Sequence, residues 1–164
     1  RKLFEGIEFP YGKFSEDLFT IYKTILKSRS ITYIGFDGYF YYYRDEGSIV
    51  VSGYKKKHLE ALDAVDDIEE SVKGKGRFDN ALSTQYINVI YDIAARNPLL
   101  SEFRNKRIQN NLKAHRMSVL KDSNAPKRLR GFAAISLLGN RIVLKVVVAR
   151  NRRWKVQRRE TKKR

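Results

Sequence analysis

Glu16 and Asp17 are the adjacent carboxylates in this sequence whose surroundings suit chemistry. They follow Ser15 and precede Leu18, Tyr22, Ile25 and Leu26, whose spacing of i, i+4, i+7 and i+8 marks one apolar stripe of a helix beginning at Ser15. Lys27 and Arg29 close its last turn with the sign of charge a helix C-terminus favours. Serine is a good N-cap, and first-turn carboxylates are stabilised by the positive end of the helix dipole. Helix-terminal electrostatics therefore account for the pair. The same placement also suits a general base. Asp17 at the mouth of a cleft would take a proton from an attacking hydroxyl, held in place by Glu16 and the helix start. The residues themselves leave both readings open.

Arg44, Gly47 and Ser48 supply a guanidinium, a backbone without a Cβ and a hydroxyl donor. Such a set can clamp a phosphate, or equally form a polar turn after a strand. The run Tyr39–Tyr43 is either a stacking platform for bases or sugars or a buried strand with satisfied hydroxyls. His58 and His115 have no partner at ligand spacing and read as surface residues, which excludes a His-rich metal centre. Cysteine is absent, so disulfide scaffolds, cysteine zinc sites and thiol catalysis are excluded too.

The elements that must position these residues follow from periodicity and punctuation. Phe9-Pro10-Tyr11-Gly12-Lys13 reads as a loop ahead of the first helix. Ile31–Gly35 and Tyr39–Tyr43, separated by Asp37-Gly38, read as paired or sharply bent strands, with Ile49-Val50-Val51 as a further short apolar run. Leu59, Leu62, Val65, Ile68 and Val72 predict a second helix, bounded by Gly74-Lys75-Gly76. A third carries Leu82, Tyr86, Val89, Ile90 and Ile93 on one face and ends at Asn97-Pro98, antiparallel to the second across a short link. Residues 99–121 read as helical with a thin apolar face among many cations, and Asn124-Ala125-Pro126 breaks the chain. Gly131–Ala149 is the most apolar stretch, interrupted by Asn140, Arg141 and Lys145. Two central cations would cost about 2.5–3.5 kcal/mol each inside a bilayer, so this run does not span one. Valines favour a strand over Ile142–Val148 and the neighbourhood favours a helix, which leaves that segment open.

The 164 residues suffice for a sizeable core, and 42% of them are hydrophobic, so the chain is not a disordered polycation despite its formal charge of +16. That charge is lopsided. Residues 1–103 hold 14 basic and 16 acidic side chains, whereas residues 104–164 hold 20 basic side chains and only Asp122 and Glu160 as acids. A near-neutral portion carrying a basic tail points to a polyanion, either nucleic acid or an anionic membrane face. The chain opens on Arg1 with no signal segment behind it and reads as a piece of a longer protein.

The order of the weak motifs is more specific than any one of them. Glu5-Gly6-Ile7-Glu8-Phe9-Pro10, Phe14-Ser15-Glu16-Asp17-Leu18-Phe19, Tyr22-Lys23, Tyr33-Ile34 and Tyr41-Tyr42-Tyr43-Arg44-x-x-Gly47-Ser48-Ile49 follow one another in a single register. This arrangement resembles the C-terminal part of the catalytic domain of bacterial family-2 glycosyltransferases, inverting enzymes with a GT-A fold. The resemblance covers residues 4–54, and residues 55–121 look like the helical appendix that often follows.

The resemblance implies that Asp17 is the base that deprotonates the acceptor hydroxyl, that Glu16 orients it, and that Arg44 and Ser48 approach the donor diphosphate. It implies a nucleotide sugar, a saccharide or lipid-linked acceptor, and a divalent cation (Mg or Mn) in the full-length parent. The nucleotide-binding half, its Asp-x-Asp motif and the Gln-x-x-Arg-Trp motif of processive members are absent here, so this portion is expected to bind neither metal nor donor sugar. The expected fold class is α+β, mostly α-helical. Residues 1–54 would form the end of the GT-A catalytic domain (a helix plus short strands), 55–121 a helical subdomain and 122–164 a basic amphipathic tail. Arg141, Lys145, Arg152, Arg153 and Trp154 are the candidates for contact with a membrane or polyanion, with Phe132, Ile135, Leu137, Leu138, Val146 and Val147 adding shallow insertion. The expected location is cytoplasmic, peripheral on the inner face of the plasma membrane, in cell-surface polysaccharide synthesis. The alternatives are a basic nucleic-acid-binding protein and a helical interaction module without catalysis. The first is disfavoured because tyrosines and cations are not interleaved, and no base-reading motif is present.

Overall fold

The computed structural model describes residues 2–36, 38–39 and 53–161, with side chains through Asn151. Among them the regular structure is helical throughout. In chain order the α-helices are α1 (Glu16–Lys27), α2 (Glu60–Val72), α3 (Asp79–Ala95), α4 (Leu100–Phe103), α5 (Lys106–Lys121), α6 (Lys127–Ile135) and α7 (Asn140–Thr161). Single 3-10 turns at Lys56–Leu59, Gly76–Phe78 and Ser136–Leu138 lead into α2, α3 and α7.

Central to the packing is α3, which contacts α2, α5, α6 and α7. Tyr86, Val89, Ile90 and Ile93 are buried on it as their spacing predicts, and Ile87 and Ala94 are buried as well, because neighbours cover more than one stripe. The same core takes Leu62 and Val65 from α2, Phe103 from α4, Ile108, Leu112 and Val119 from α5, Leu129 and Phe132 from α6, and Val143, Leu144 and Val147 from α7. Two left-handed residues end helices. Gly74 (φ 75°) stops α2, and Asn97 (φ 58°), followed by Pro98, stops α3.

The α+β expectation is overturned, since no strand occurs among the described residues. Ile31–Gly35, read as strand from its β-branched and aromatic content, is irregular, with Ile31 74%, Tyr33 92% and Ile34 68% exposed. Such residues stabilise a strand by packing on a partner strand and a covering layer, and no described element supplies either. The remainder of the expected strands, at 40–43 and 49–51, lies outside the described residues. The helix-or-strand question over Ile142–Val148 resolves as helix. Val143, Leu144 and Val147 (i, i+1, i+4) bury one side of α7 against the core, and that tertiary gain outweighs the valines' modest helix penalty. No described helix is long and apolar enough to cross a membrane.

Candidate functional site

Helix α1 is held to α2 by a series of polar contacts. The Phe14 N–H donates to Glu60 Oε2 at 2.9 Å, and the Tyr22 hydroxyl donates to Asp67 Oδ2 at 2.8 Å. Lys23 Nζ lies 3.1 Å from the same Asp67 oxygen, and the Phe14 ring meets His58 edge-on at 5.4 Å. Leu18 packs on the core, whereas Ile25 and Leu26, expected on the same covered stripe, are 49% and 41% exposed. Ser15 occupies the cap position but makes no side-chain cap bond. Its backbone is left-handed (φ 61°, ψ 42°), which differs from the extended conformation of a capping serine. Asp17 Oδ1 instead accepts the Leu18 N–H at 2.8 Å.

This geometry brings Asp17 to the wall of a cleft of about 200 Å³ between the start of α1, the start of α2 and one side of α3. His58 and Ala61 line it from the α2 end, and Gln85, Asn88, Asp92 and Arg96 from α3. Arg96 Nη2 and Asp92 Oδ2 stand 3.4 Å apart. The cleft therefore combines two exposed carboxylates, Asp17 and Asp92, with a guanidinium and two amides in one depression, groups that can accept and donate hydrogen bonds to a polyhydroxylated ligand.

His58 departs from its expected surface position. It is 7% exposed, its Nδ1 lies 2.8 Å from the Lys55 backbone nitrogen, and its Nε2 is buried without a partner among the described residues. The Lys55 carbonyl oxygen lies 2.9 Å from the same nitrogen, so either tautomer of the neutral ring finds a Lys55 backbone partner at Nδ1. Burial, with the nearby Arg96 charge, lowers the His58 pKa below the ordinary histidine value. His115 is also half-buried, stacked on Tyr86 at 4.3 Å with its Nδ1 3.1 Å from Ser83 Oγ, and burial lowers its pKa against the opposing pull of Glu69. The Tyr86 hydroxyl lies 2.7 Å from both Asp66 and Glu69, and burial followed by these carboxylates raises its pKa. Arg107 bridges Asp63 and Asp66, tying α5 to α2.

Both histidines act on stability with the same sign. Each takes a proton in the unfolded chain near pH 6.5 and resists it when folded. Their contribution is complete above that pH and is lost as pH falls through 6.5 towards the lower folded values. The urea midpoint is therefore expected to hold above pH 7 and to drop between pH 7 and 5, and His58→Gln with His115→Gln should reduce the drop. A midpoint that is flat over that interval would contradict the assignment of both rings as neutral.

Of the other expected site residues, Glu16 is exposed and does not line the cleft, while Arg44 and Ser48 lie outside the described residues. Arg141 and Lys145 are exposed on α7, away from the cleft lining. Arg152, Arg153 and Trp154 continue α7, and their side chains are outside the description. The residues missed were those of α3. Gln85, Asn88, Asp92 and Arg96 recur at three- and four-residue spacings beside the apolar stripe, a polar row that the search for apolar periodicity passed over. No group of three or more His, Asp or Glu among the described residues could hold a metal ion. Comparisons with protein-family models, with curated proteins and with solved structures find no match to this chain.

Proposed function

We propose that this chain is the acceptor-handling part of an inverting glycosyltransferase, one that transfers a sugar from a nucleotide donor to a saccharide or lipid-linked acceptor at the cytoplasmic face of the membrane. The observation that supports it is the position of Asp17, whose exposed carboxylate shares a cleft with Arg96, Gln85 and Asn88. In this reading the acceptor hydroxyl lies against Asp17. The carboxylate takes its proton as the oxygen attacks the anomeric carbon, and the bond from that carbon to the diphosphate breaks on the opposite side, inverting the configuration. Glu16, one residue earlier on the helix, orients the base, and Arg44 and Ser48 serve the leaving diphosphate. No side-chain cluster among the described residues fits the divalent cation of the parent enzyme, and the steps assigned here belong to Asp17 and its neighbours.

The test is a transfer assay on the full-length protein that carries this chain. Release of nucleoside diphosphate from a nucleotide sugar is expected to require an acceptor hydroxyl, and the product's anomeric configuration, read by NMR coupling constants, should be inverted. Retained configuration, or failure of a broad panel of nucleotide sugars to react, would count against the reading.

A further inference from the structure

The structure divides the apolar residues of the C-terminal region into two sets. Phe132 (2% exposed) and Val147 (3%), expected to reach outward, are core residues, and Ile135 is packed against the same core. Leu137 (50%), Leu138 (66%), Ile142 (43%) and Val146 (41%) face outward instead. Ile142 and Val146, four residues apart, form a row along the outer side of α7, and the exposed Leu137 and Leu138 precede it across the non-helical Gly139 (φ 103°, ψ 159°). Arg141 and Lys145, also four apart, form the adjacent row, and Arg150 extends the apolar row by one turn. These three cations are exposed and have no ion-pair or hydrogen-bond partner among the described residues. From Ser123 to Arg159 the sequence contains no Asp or Glu.

We infer that this outer face of Ser136–Leu138 and α7 docks on an anionic lipid bilayer. It lies apart from the Asp17 cleft and refines only the membrane location given above, so failure here would leave the sugar-transfer chemistry standing. Two features choose the occupant. The unpaired cations are complementary to anionic headgroups, and the uncovered Leu, Ile and Val beside them gain by leaving water only where the partner has an apolar interior. A nucleic-acid backbone would satisfy the cations and leave that aliphatic row in water. Arg141 and Lys145 have long stems that keep their charges at headgroup level while the row beside them inserts. Because the helix is too polar to cross a membrane, the contact is peripheral.

The test is co-sedimentation of the 164-residue chain with vesicles of phosphatidylglycerol mixed with phosphatidylcholine, against pure phosphatidylcholine, with salt titrated in both. Binding is expected only to the anionic vesicles and should weaken as salt rises, a result that needs no variant. Arg141→Gln with Lys145→Gln should weaken it about thirtyfold, from about fivefold for each basic residue near such a surface. Leu138→Ser with Ile142→Ser should also weaken it severalfold. All four side chains are exposed, so the far-ultraviolet dichroism of both variants should match the parent. Equal binding to neutral vesicles, or no binding to either kind, would overturn the inference. So would binding that the charge variant weakens and the apolar variant retains, which would make the face a general polyanion site; retention of that apolar variant on single-stranded or duplex nucleic acid would identify it as such.

Discussion

Under the proposed sugar-transfer chemistry, Asp17→Asn is expected to lower turnover of the full-length protein by about 10²–10⁴-fold, the range for removing a general base. Donor affinity should not change, because the substitution removes proton abstraction and leaves contacts to the nucleotide in place. The variant is a clean one for structural reasons. Asp17 Oδ1 accepts the Leu18 N–H, and an asparagine retains that acceptor oxygen, so the first turn of α1 keeps its bond. The side chain is exposed, and losing its charge empties no core volume. Turnover and nucleotide-sugar affinity, measured together by initial rates and calorimetry, separate the outcomes. Wild-type turnover would remove Asp17 from the chemistry. A parallel loss of turnover and donor affinity would point to a disturbed site rather than a missing base.

Phe103→Ala should have the largest effect on folding. Helix α4 has four residues, too few to be stable on its own, and its last residue is fully buried in the common core. Truncating a buried phenylalanine removes its transfer free energy and leaves a void, together about 3–5 kcal/mol. For a chain of this size that is a large fraction of a total stability of about 5–15 kcal/mol. The loss should be read as a fall in the urea midpoint with an unchanged slope. A change under about 1 kcal/mol would mean that the surrounding helices collapse onto the vacated volume.

The helical half of the molecule was legible because its information is local. Leu62, Val65, Tyr86, Ile90 and Ile93 repeat at helical spacing, and Gly74 and Asn97-Pro98 close their helices by rules that need no distant partner. Residues 31–35 were misread because strand formation is a property of a pair of segments, and composition reports on only one of them. The valines of α7 left their segment undecided for the same reason, since the deciding contact is made by the distant α3. Asp17 could be singled out from its own helix. Its companions could not, because His58 and Arg96 reach the cleft through tertiary packing that brings together residues some 40 and 80 positions along the chain. The burial of His58 and His115 was invisible for a related reason. Each is covered by aromatic rings, Phe14 and Tyr86, whose distance in sequence gives no hint of contact.

Ser15 joins the loop to α1 through a left-handed backbone. A left-handed non-glycine residue costs of order 1–3 kcal/mol, so the joint between loop and α1 is a point of local frustration in an otherwise mutually consistent helical array. Glycine there would remove the conflict in the native basin and would also widen the denatured ensemble, two effects that oppose each other. The tether from the Phe14 N–H to Glu60, one residue before the joint, holds the chain in a conformation its own residue type disfavours. The joint that delivers Asp17 to the cleft is thus held from the neighbouring helix against a local preference, and glycine or asparagine should be tolerated at position 15 better than β-branched residues or proline.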